Sequence, residues 1–197
     1  MYSNVQLEAD MSKREDIIEA AQALFWEKGY EATSPRDIQA RSEAGQGSFY
    51  HHFPSKQALA QTVIEDIVEN RIADFEKAMS GSGSFSKRLL LFVAQNQQPM
   101  LGCRVGRLVW DSAINDDALR TPLNRYFAHL ERRFVEILDA EQTAGKFRLA
   151  IPAPQLALVI LATVQGSFAI SRAMNVSRAE DTRTALRKLL NAIVVEA

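Results

Sequence analysis

The chain has 197 residues, of which 47% are hydrophobic and 24% are charged, and its net charge is −1 at pH 7. A chain of this length can bury a substantial core, and length alone allows one or two domains. The first residues carry acids where a secretory signal has a basic start, and the longest apolar run, residues 156–164, is too short to span a bilayer. A single cysteine excludes an intrachain disulfide, which fits a reducing compartment. Together these features lead us to expect a cytoplasmic protein with no membrane segment.

The first helix is predicted over residues 13–28. Ser12 and Glu15 have the spacing of a capping box, and apolar residues then recur with the helical period as far as Gly29. Such a helix buries one apolar stripe, so it belongs to a core rather than to an isolated segment.

Two short helices are predicted next. Ser34 can cap a helix whose first residue is Pro35 and whose third is Asp37, because proline is pre-set for that position and a Ser-x-x-acid spacing satisfies free backbone donors from both sides. The apolar rhythm lapses through residues 42–44 and resumes at Phe49. The second short helix therefore follows a tight turn and ends before Pro54.

The remaining helices are long and striped with apolar residues. They are predicted over residues 56–79, 85–96, 103–114, 119 to just before Gly145, 154–174 and 178–195. The Gly-Ser stretch at residues 81–84 is the clearest loop. Because no strand alternation, internal repeat or low-complexity segment stands out, the predicted fold is all-α.

Residues 34–53 have the shape of a helix-turn-helix, because two very short helices and a tight turn lie between two longer helices. A second short helix that anchors itself with Phe49 and Phe53 can turn its other side chains outward. Those side chains are polar, and they can hydrogen-bond base edges or phosphates. They are Gln46, Ser48, Tyr50 and His51.

The run FYHHFPSKQAL, preceded by AAQALFWEKGYEATS and DIQAR, resembles the amino-terminal DNA-binding domain of the TetR/AcrR family of transcriptional regulators. The resemblance covers roughly residues 13–68. It implies an all-helical homodimer that binds a palindromic operator and releases it when a small molecule enters the carboxy-terminal domain. It also implies a DNA-binding domain over residues 12–70 and an effector-binding and dimerisation domain over residues 71–197.

The chain departs from the family pattern at two positions of the helix-turn-helix. Gln39 stands where the family usually has alanine, and Glu43 stands where it usually has glycine in the turn. Since glycine tolerates backbone angles that other residues avoid, we expect Glu43 to adopt an unusual one.

Polar side chains and helix ends of this motif are predicted to contact DNA. Gln46 suits adenine, whereas Tyr50 and Lys56 suit phosphate oxygens, and His51 can do either. The start of the second helix would face the DNA backbone. The full predicted set is Thr33, Ser34, Arg36, Gln46, Gly47, Ser48, Tyr50, His51 and Lys56.

The charge distribution qualifies this prediction. Residues 1–70 contain six Lys and Arg against twelve Asp and Glu, whereas residues 71–197 contain seventeen against twelve. Because non-specific DNA affinity comes mostly from phosphate neutralisation, we expect weak background binding and strong salt sensitivity. The alternative is a ligand-binding or thiol-based sensor of the same fold with weak or lost DNA binding.

The last two predicted helices are apolar over more of their circumference than surface helices of a monomer should be. We expect them to pair with a second copy as a four-helix bundle, although they could instead close the subunit core. The predicted dimer interface consists of Val159, Val164, Gly166, Leu186, Leu189, Leu190 and Ile193.

The carboxy-terminal part carries aromatic and polar residues that could line an effector pocket, although aromatic residues at helical spacing also occur as plain core. The predicted pocket consists of Phe92, Asn96, Cys103, Trp110, Phe127, Phe134, Gln165 and Phe168. Arg104 and Arg107 follow Cys103, and nearby positive charge lowers the pKa of a thiol. Cys103 is therefore either a sensor of electrophiles or oxidants or a small buried side chain.

Catalytic signals are missing from the sequence. One cysteine and three histidines, two of them adjacent in the motif, provide no clear set of nucleophile, base and orienting group. No metal-ligand spacing or phosphate-binding loop occurs either. We expect a protein that is not an enzyme and that needs no metal or cofactor.

Overall fold

The structure, a computed structural model, describes the backbone of residues 4–95, 98 and 100–195, and within these ranges the side chains from residue 11 to residue 193. The helices are α1 (Asn4–Glu27), α2 (Pro35–Ser42), α3 (Gln46–His52), α4 (Lys56–Met79), α5 (Phe85–Ala94), α6 (Arg104–Val109), a 3₁₀ helix (Ser112–Asn115), α7 (Asp117–Thr143), α8 (Ala153–Met174) and α9 (Ala179–Ile193). Strands β1 (Arg148–Leu149) and β2 (Val194–Val195) pair antiparallel, with Arg148 opposite Val195. The predicted all-α fold is confirmed.

Three predicted element boundaries are wrong. Helix α1 already includes Ser12, which is therefore no helix cap, because residues 4–11 contain neither glycine nor proline to stop the helix. The helix predicted over residues 103–114 is two pieces, since α6 ends at Val109 and the 3₁₀ helix begins at Ser112. The end of the last predicted helix is instead strand β2.

The described residues form two compact units. Unit 1 contains the chain up to Glu69 together with Arg104–Leu123, and unit 2 contains Asn70–Cys103 together with the chain from Asn124 onward. The divisions fall inside α4 and inside α7. The segment 104–123, which the sequence analysis assigned to the carboxy-terminal domain, packs within unit 1.

The core of unit 1 lies between α1 and the helix-turn-helix. Helix α1 packs against α2, α3 and α6. The side chains at its centre are almost completely buried, and they come from α1, α2, α3 and α4: Ile17, Phe25, Ile38, Phe49 and Leu59. The two short helices are thus held by burial on α1, which fixes the turn between them.

The core of unit 2 is aromatic at its centre. The ring of Phe75 on α4 meets the rings of Phe92 on α5 and Phe134 on α7 edge-on, with centroids 5.2 and 5.1 Å apart. Edge-to-face pairs of this kind are favourable because the positive ring edge meets the negative ring face. Helix α9 packs against α5 and α8.

Helix α8 is apolar on both its buried and its exposed sides. Among the described residues, it is the one helix long and apolar enough to cross a membrane on length and composition, with a mean hydropathy of 1.6 and only 28% of its most apolar window buried. The run considered in the sequence, residues 156–164, covers less than half of it. Four large side chains on its outer side are substantially exposed: Leu158, Val159, Ile170 and Met174.

Candidate DNA-binding surface and effector cavity

The start of α2 is fixed by a complete capping box. The Ser34 hydroxyl oxygen accepts a hydrogen bond from the Asp37 backbone N–H at 3.2 Å, and the Asp37 carboxylate accepts from the Ser34 backbone N–H at 2.8 Å. The hydrogen bonds that the Ser34 backbone N–H and hydroxyl donate to the carboxylate lower the pKa of Asp37. The predicted cap is confirmed, and the hydroxyl of Ser34 is itself engaged, since it also donates to Asp37.

The turn between α2 and α3 contains the expected backbone exception. Glu43 ends α2 in the left-handed region, with φ 53° and ψ 27°. For a residue with a side chain this conformation costs on the order of 1 kcal/mol. The unusual backbone angle expected for Glu43 in place of the family's glycine is thus confirmed. Gly45 precedes the first residue of α3.

Helix α3 exposes the face that the sequence predicted. Phe49 and Phe53 are buried, whereas Gln46, Gly47, Tyr50 and His51 are exposed and Ser48 is half-buried. The Tyr50 ring is 46% exposed and rests edge-on against Phe49, with centroids 5.1 Å apart. The helix is therefore anchored by its apolar side and offers polar groups on the other.

The two glycines at the start of α3 face open space. A methyl group added to Gly45 or Gly47 would meet no atom of the subunit within 4 Å. Neither glycine has a positive φ. Packing within the subunit therefore does not explain glycine at Gly47.

Two residues of the predicted DNA-binding set make contacts within the protein, and of these Thr33 is buried and Lys56 is half-buried. Thr33 is fully buried, and its hydroxyl donates to the carbonyl oxygen of Gly29 at 2.7 Å, so its side chain does not face a phosphate. The Lys56 ammonium lies 4.2 Å from the centroid of the Tyr30 ring and donates to the Glu31 carbonyl oxygen at 3.4 Å. Burial lowers the pKa of Lys56.

The cations of the motif differ in their engagement. Arg36 is exposed. The Arg41 guanidinium donates to the Glu27 carboxylate at 2.7 Å, and this hydrogen bond lowers the pKa of Glu27. Arg41 therefore adds little net positive charge to the surface of the motif.

The segment 104–123 fastens the turn before α2. The Glu31 backbone N–H donates to the Asp111 carboxylate at 3.0 Å, and the Arg107 guanidinium donates to the Lys28 carbonyl oxygen at 3.3 Å. The Gln57 side-chain amide also donates to the Asp116 carboxylate. These contacts were not predicted, because a contact between residues 59 to 80 positions apart leaves no local sequence pattern.

Unit 2 contains a cavity of ≈ 30 Å³, which is room for about two water molecules. Five residues of the predicted effector pocket lie around it: Phe92, Cys103, Phe134, Gln165 and Phe168. Trp110 is 83% exposed and belongs to unit 1, which corrects its assignment to the pocket. Phe127 is half-buried with its ring against Tyr126 and is absent from the lining, and Asn96 lies outside the described residues.

The sequence analysis missed two polar residues of this cavity, Arg71 and Tyr126. Arg71 lies one turn from Ile67 and Phe75, so it occupies the buried stripe of α4. A charged residue in register with an apolar stripe was the available signal. Tyr126 is 2% exposed, and burial raises its pKa, so its hydroxyl stays protonated.

Cys103 is buried beside the cavity. The Arg104 guanidinium lies over the Trp26 ring at 4.5 Å from its centroid, and Arg107 binds the Lys28 carbonyl. Both arginines thus interact with groups of unit 1, and the sensor role of Cys103 stays a prediction.

The residues predicted for the dimer interface divide into two groups. Val159 and Leu189 are exposed, and Gly166 faces open space. Leu186 and Leu190 are buried in the subunit, while Val164 lines the cavity and Ile193 is half-buried. A contact with a second copy would therefore use the outer sides of α8 and α9, with Leu158, Ile170 and Met174 in place of the buried leucines.

No three His, Cys, Asp or Glu side chains of the described residues form a group that could hold a metal ion. The features that remain are a capped helix-turn-helix with a polar reading helix and a second helical unit with an apolar cavity. The first of these features defines the class of helix-turn-helix DNA-binding regulators.

Residues 17–63 match the family model of bacterial regulatory proteins of the tetR family. The chain is 31% identical over 163 residues to an HTH-type transcriptional regulator in the lacX 3′ region of Lactococcus lactis, covering 78% of this chain and 80% of the relative. It is 27% identical over 161 residues to the HTH-type transcriptional repressor DhaR of Mycobacterium sp. strain GP1, covering 78% and 79%. A TetR transcriptional regulator from Chloroflexus aurantiacus shares the fold, with a TM-score of 0.83, 23% identity and coverage of 96% and 100%.

The chain belongs to the TetR family and is a DNA-binding transcriptional regulator. Proteins of this family bind DNA operators, and its relatives are named as regulators rather than as enzymes. The relatives are bacterial transcriptional regulators.

Proposed function

We propose that this regulator is a cytoplasmic repressor that leaves a palindromic operator when a small molecule binds in unit 2. The observation that carries the DNA part is the two-sided α3, with Phe49 and Phe53 buried beneath an exposed polar face and open space at Gly47. Such a helix can enter a major groove without disturbing its own anchor. No cofactor is required for binding or release.

The proposed reading residues are those of the predicted set whose groups can reach DNA. Gln46 reads a base, and Gly47 allows the DNA to approach closely. Thr33 is withdrawn from direct contact, since its hydroxyl holds the turn at Gly29. The proposed contacts are Ser34, Arg36, Gln46, Gly47, Ser48, Tyr50, His51 and Lys56.

The proposed dimer uses the outer sides of α8 and α9. Leu158 and Ile170 are 59% and 52% exposed, and exposed apolar patches of this kind mark interaction sites in soluble proteins. Gly166 lies between them on the same side and has open space beside it, so a second helix can approach closely. Two reading helices would then lie about 34–36 Å apart on a two-fold operator.

Release is proposed to act through α4 and the segment 104–123. Helix α4 contributes Lys56 to unit 1 and Arg71 to the cavity of unit 2. The segment 104–123 binds the turn before α2 through Asp111 and Arg107. We infer an effector-binding and dimerisation domain over residues 71–197 that reaches the DNA-binding domain, residues 12–70, by these two routes, and a coupling of about 1–3 kcal/mol would suffice.

The reading assignment is tested with Gln46→Ala and Lys56→Ala. Fluorescence anisotropy would compare DNA from upstream of the chain's own gene with random DNA of equal length, at two salt concentrations. Gln46→Ala should weaken operator binding alone, by about 1–3 kcal/mol. Lys56→Ala should weaken both DNAs alike and reduce the salt slope by about 1.

Exposed Glu69→Gln on α4 serves as the control for both variants, because it changes one charge away from the reading helix. Equal losses on operator and random DNA for Gln46→Ala contradict its role as a reader. Wild-type protein that binds neither DNA at low salt contradicts the repressor itself and favours a sensor without DNA binding.

A thiol-based sensor of the same fold is the second proposal, favoured by the position of Cys103 beside the cavity, in the same lining as Tyr126. If Cys103 reports electrophiles, an alkylating agent should release operator DNA from the wild type and not from Cys103→Ser. Equal release from both proteins contradicts the sensor.

A further inference from the structure

The cavity of unit 2 has an uneven lining. Most of its wall is apolar, from residues such as Leu89, Phe134, Ile160 and Phe168. Among the described residues that line it, Arg71 is the one charged group, and Tyr126 and Gln165 are further polar groups. A ligand that fills this cavity therefore meets hydrocarbon on most sides and a cation at one place.

The Arg71 guanidinium is held at this place by two neighbours, and the Tyr126 side chain lies in the same lining. The guanidinium lies over the Phe92 ring, 5.3 Å from the centroid. It also donates to the Asp74 carboxylate at 3.1 Å, one turn further along α4. A planar guanidinium has five N–H donors, so it can bind a further acceptor in a bidentate manner.

The pairing with Asp74 is a weak reason for an arginine at this position. The Asp74 side chain is 52% exposed, whereas that of Arg71 is 20% exposed. An exposed carboxylate is well solvated, and surface ion pairs contribute little to stability. A polar or anionic group inside an apolar cavity, in contrast, binds poorly unless a buried partner satisfies it.

We propose that the effector is a small amphipathic organic acid whose carboxylate binds Arg71 and whose apolar body occupies the cavity. This inference rests on the proposed effector function of unit 2 and adds the chemical class of the ligand. The Tyr126 hydroxyl and the Gln165 amide lie in the same lining and complete the polar end. The cavity must enlarge on binding, since it now has room for about two water molecules.

Isothermal titration calorimetry on the full-length protein would test this with three acid and amide pairs: benzoate and benzamide, 4-phenylbutanoate and 4-phenylbutanamide, octanoate and octanamide. Wild-type protein should bind at least one acid about 10- to 100-fold more tightly than its amide, as expected for a charge-assisted pair. Arg71→Met, which keeps the side-chain length and removes the charge, should abolish this preference and leave amide binding unchanged.

Two further variants sharpen the result. Asp74→Asn removes the competing carboxylate, so the acid should bind equally tightly or more tightly. Arg132→Met is the matched control, because Arg132 is exposed on α7 and lies outside the cavity lining. If Arg71→Met fails to fold by circular dichroism, Arg71→Lys keeps the charge without the planar fork and should bind the acid with an intermediate affinity.

Equal binding of acids and amides by the wild type, equal loss of both in Arg71→Met, or no binding of any of the six compounds at millimolar concentrations overturns the inference. Operator binding without added compound separates this failure from that of the proposed function. Normal operator binding with no preference for acids contradicts only the ligand class, whereas a wild type that binds no operator contradicts the repressor.

Discussion

The exposed sides of α3 and α8 are opposite in character although both rest on buried apolar residues. Helix α3 presents Gln46, Tyr50 and His51 above Phe49, whereas α8 presents Leu158 and Ile170 on its outer side. A polar, cation-flanked surface suits a hydrated and charged partner, and an apolar one suits a dry contact. The packing of one subunit explains neither surface, so each one points to a partner outside the subunit.

The largest effect should come from removing the anchor of the reading helix. Phe49 is fully buried, so Phe49→Ala should lower the free energy of unfolding by about 3–5 kcal/mol, measured by urea denaturation. Tyr50→Ala is the matched control, since the neighbouring ring is 46% exposed and its loss should cost much less stability. Similar destabilisation by both variants would show that the two sides of α3 are not distinct.

A large effect on DNA binding should follow from charging the apolar side of α8. In the double variant Leu158→Glu with Ile170→Glu, two carboxylates would have to be buried in the proposed dimer contact. We expect a monomer in sedimentation velocity and operator affinity lower by on the order of 100-fold, because a single reading helix loses its partner.

Trp110→Glu is the control for this variant, because Trp110 is 83% exposed and belongs to unit 1, whereas α8 and α9 belong to unit 2. It should leave both the dimer and operator binding unchanged. A double variant that remains dimeric, or a control that dissociates equally, would place the dimer contact elsewhere.

A smaller effect, with opposite signs for folding and for function, is expected at Gly47. A methyl group meets open space there, and alanine favours a helix over glycine by about 0.5–1 kcal/mol, so Gly47→Ala should raise the midpoint of thermal unfolding. If DNA approaches this backbone closely, the same change should weaken operator binding in anisotropy measurements. Unchanged affinity would mean that the DNA stays distant from the start of α3.

The smallest effect should be a pH dependence inside unit 2. The Glu76 carboxylate accepts hydrogen bonds from Arg133 at 2.9 Å and from His129 at 2.8 Å, and Arg133 is the main cause that lowers its pKa from the usual 4.5. A lowered folded pKa stabilises the fold above about pH 4.5, and this contribution is lost as the pH falls through the folded pKa.

Unfolding by urea at several pH values between about 3 and 6 would measure this contribution. Glu76→Gln should show a shallower fall in stability with acid than the wild type. Exposed Glu131→Gln on α7 should follow the wild type. Parallel curves for wild type and Glu76→Gln would assign the acid sensitivity to other carboxylates.

Sequence reasoning succeeded where local chemistry decides the structure. Ser34, Pro35 and Asp37 form the cap that their spacing predicts, and Glu43 adopts the left-handed angle that a departure from glycine suggested. The polar side of α3 also followed from Phe49 and Phe53 alone. Each of these features involves residues within a few positions of one another.

Sequence reasoning failed where distant residues decide. The helical period of residues 103–114 does not reveal that the helix breaks at Trp110. The break is accompanied by a hydrogen bond from the Glu31 backbone N–H to the Asp111 carboxylate, and these two residues are 80 positions apart. Trp110 was assigned to the cavity by its aromatic type, yet it is exposed. Arg71 was not predicted to line the cavity, because the apolar stripe of α4 is recognisable without the charged residue in the same register.

The placement of Arg104–Leu123 in unit 1 bears on how regulators of this kind could be recombined. A hybrid that joins residues 1–70 of this chain to the later part of a relative would keep every residue of α3 but replace Arg107, Asp111 and Asp116. The backbone N–H of Glu31 and the side chain of Gln57 would then lose the carboxylates that hold them. A hybrid that exchanges operator specificity and keeps these hydrogen bonds therefore needs two segments of this chain, residues 1–70 and residues 104–123.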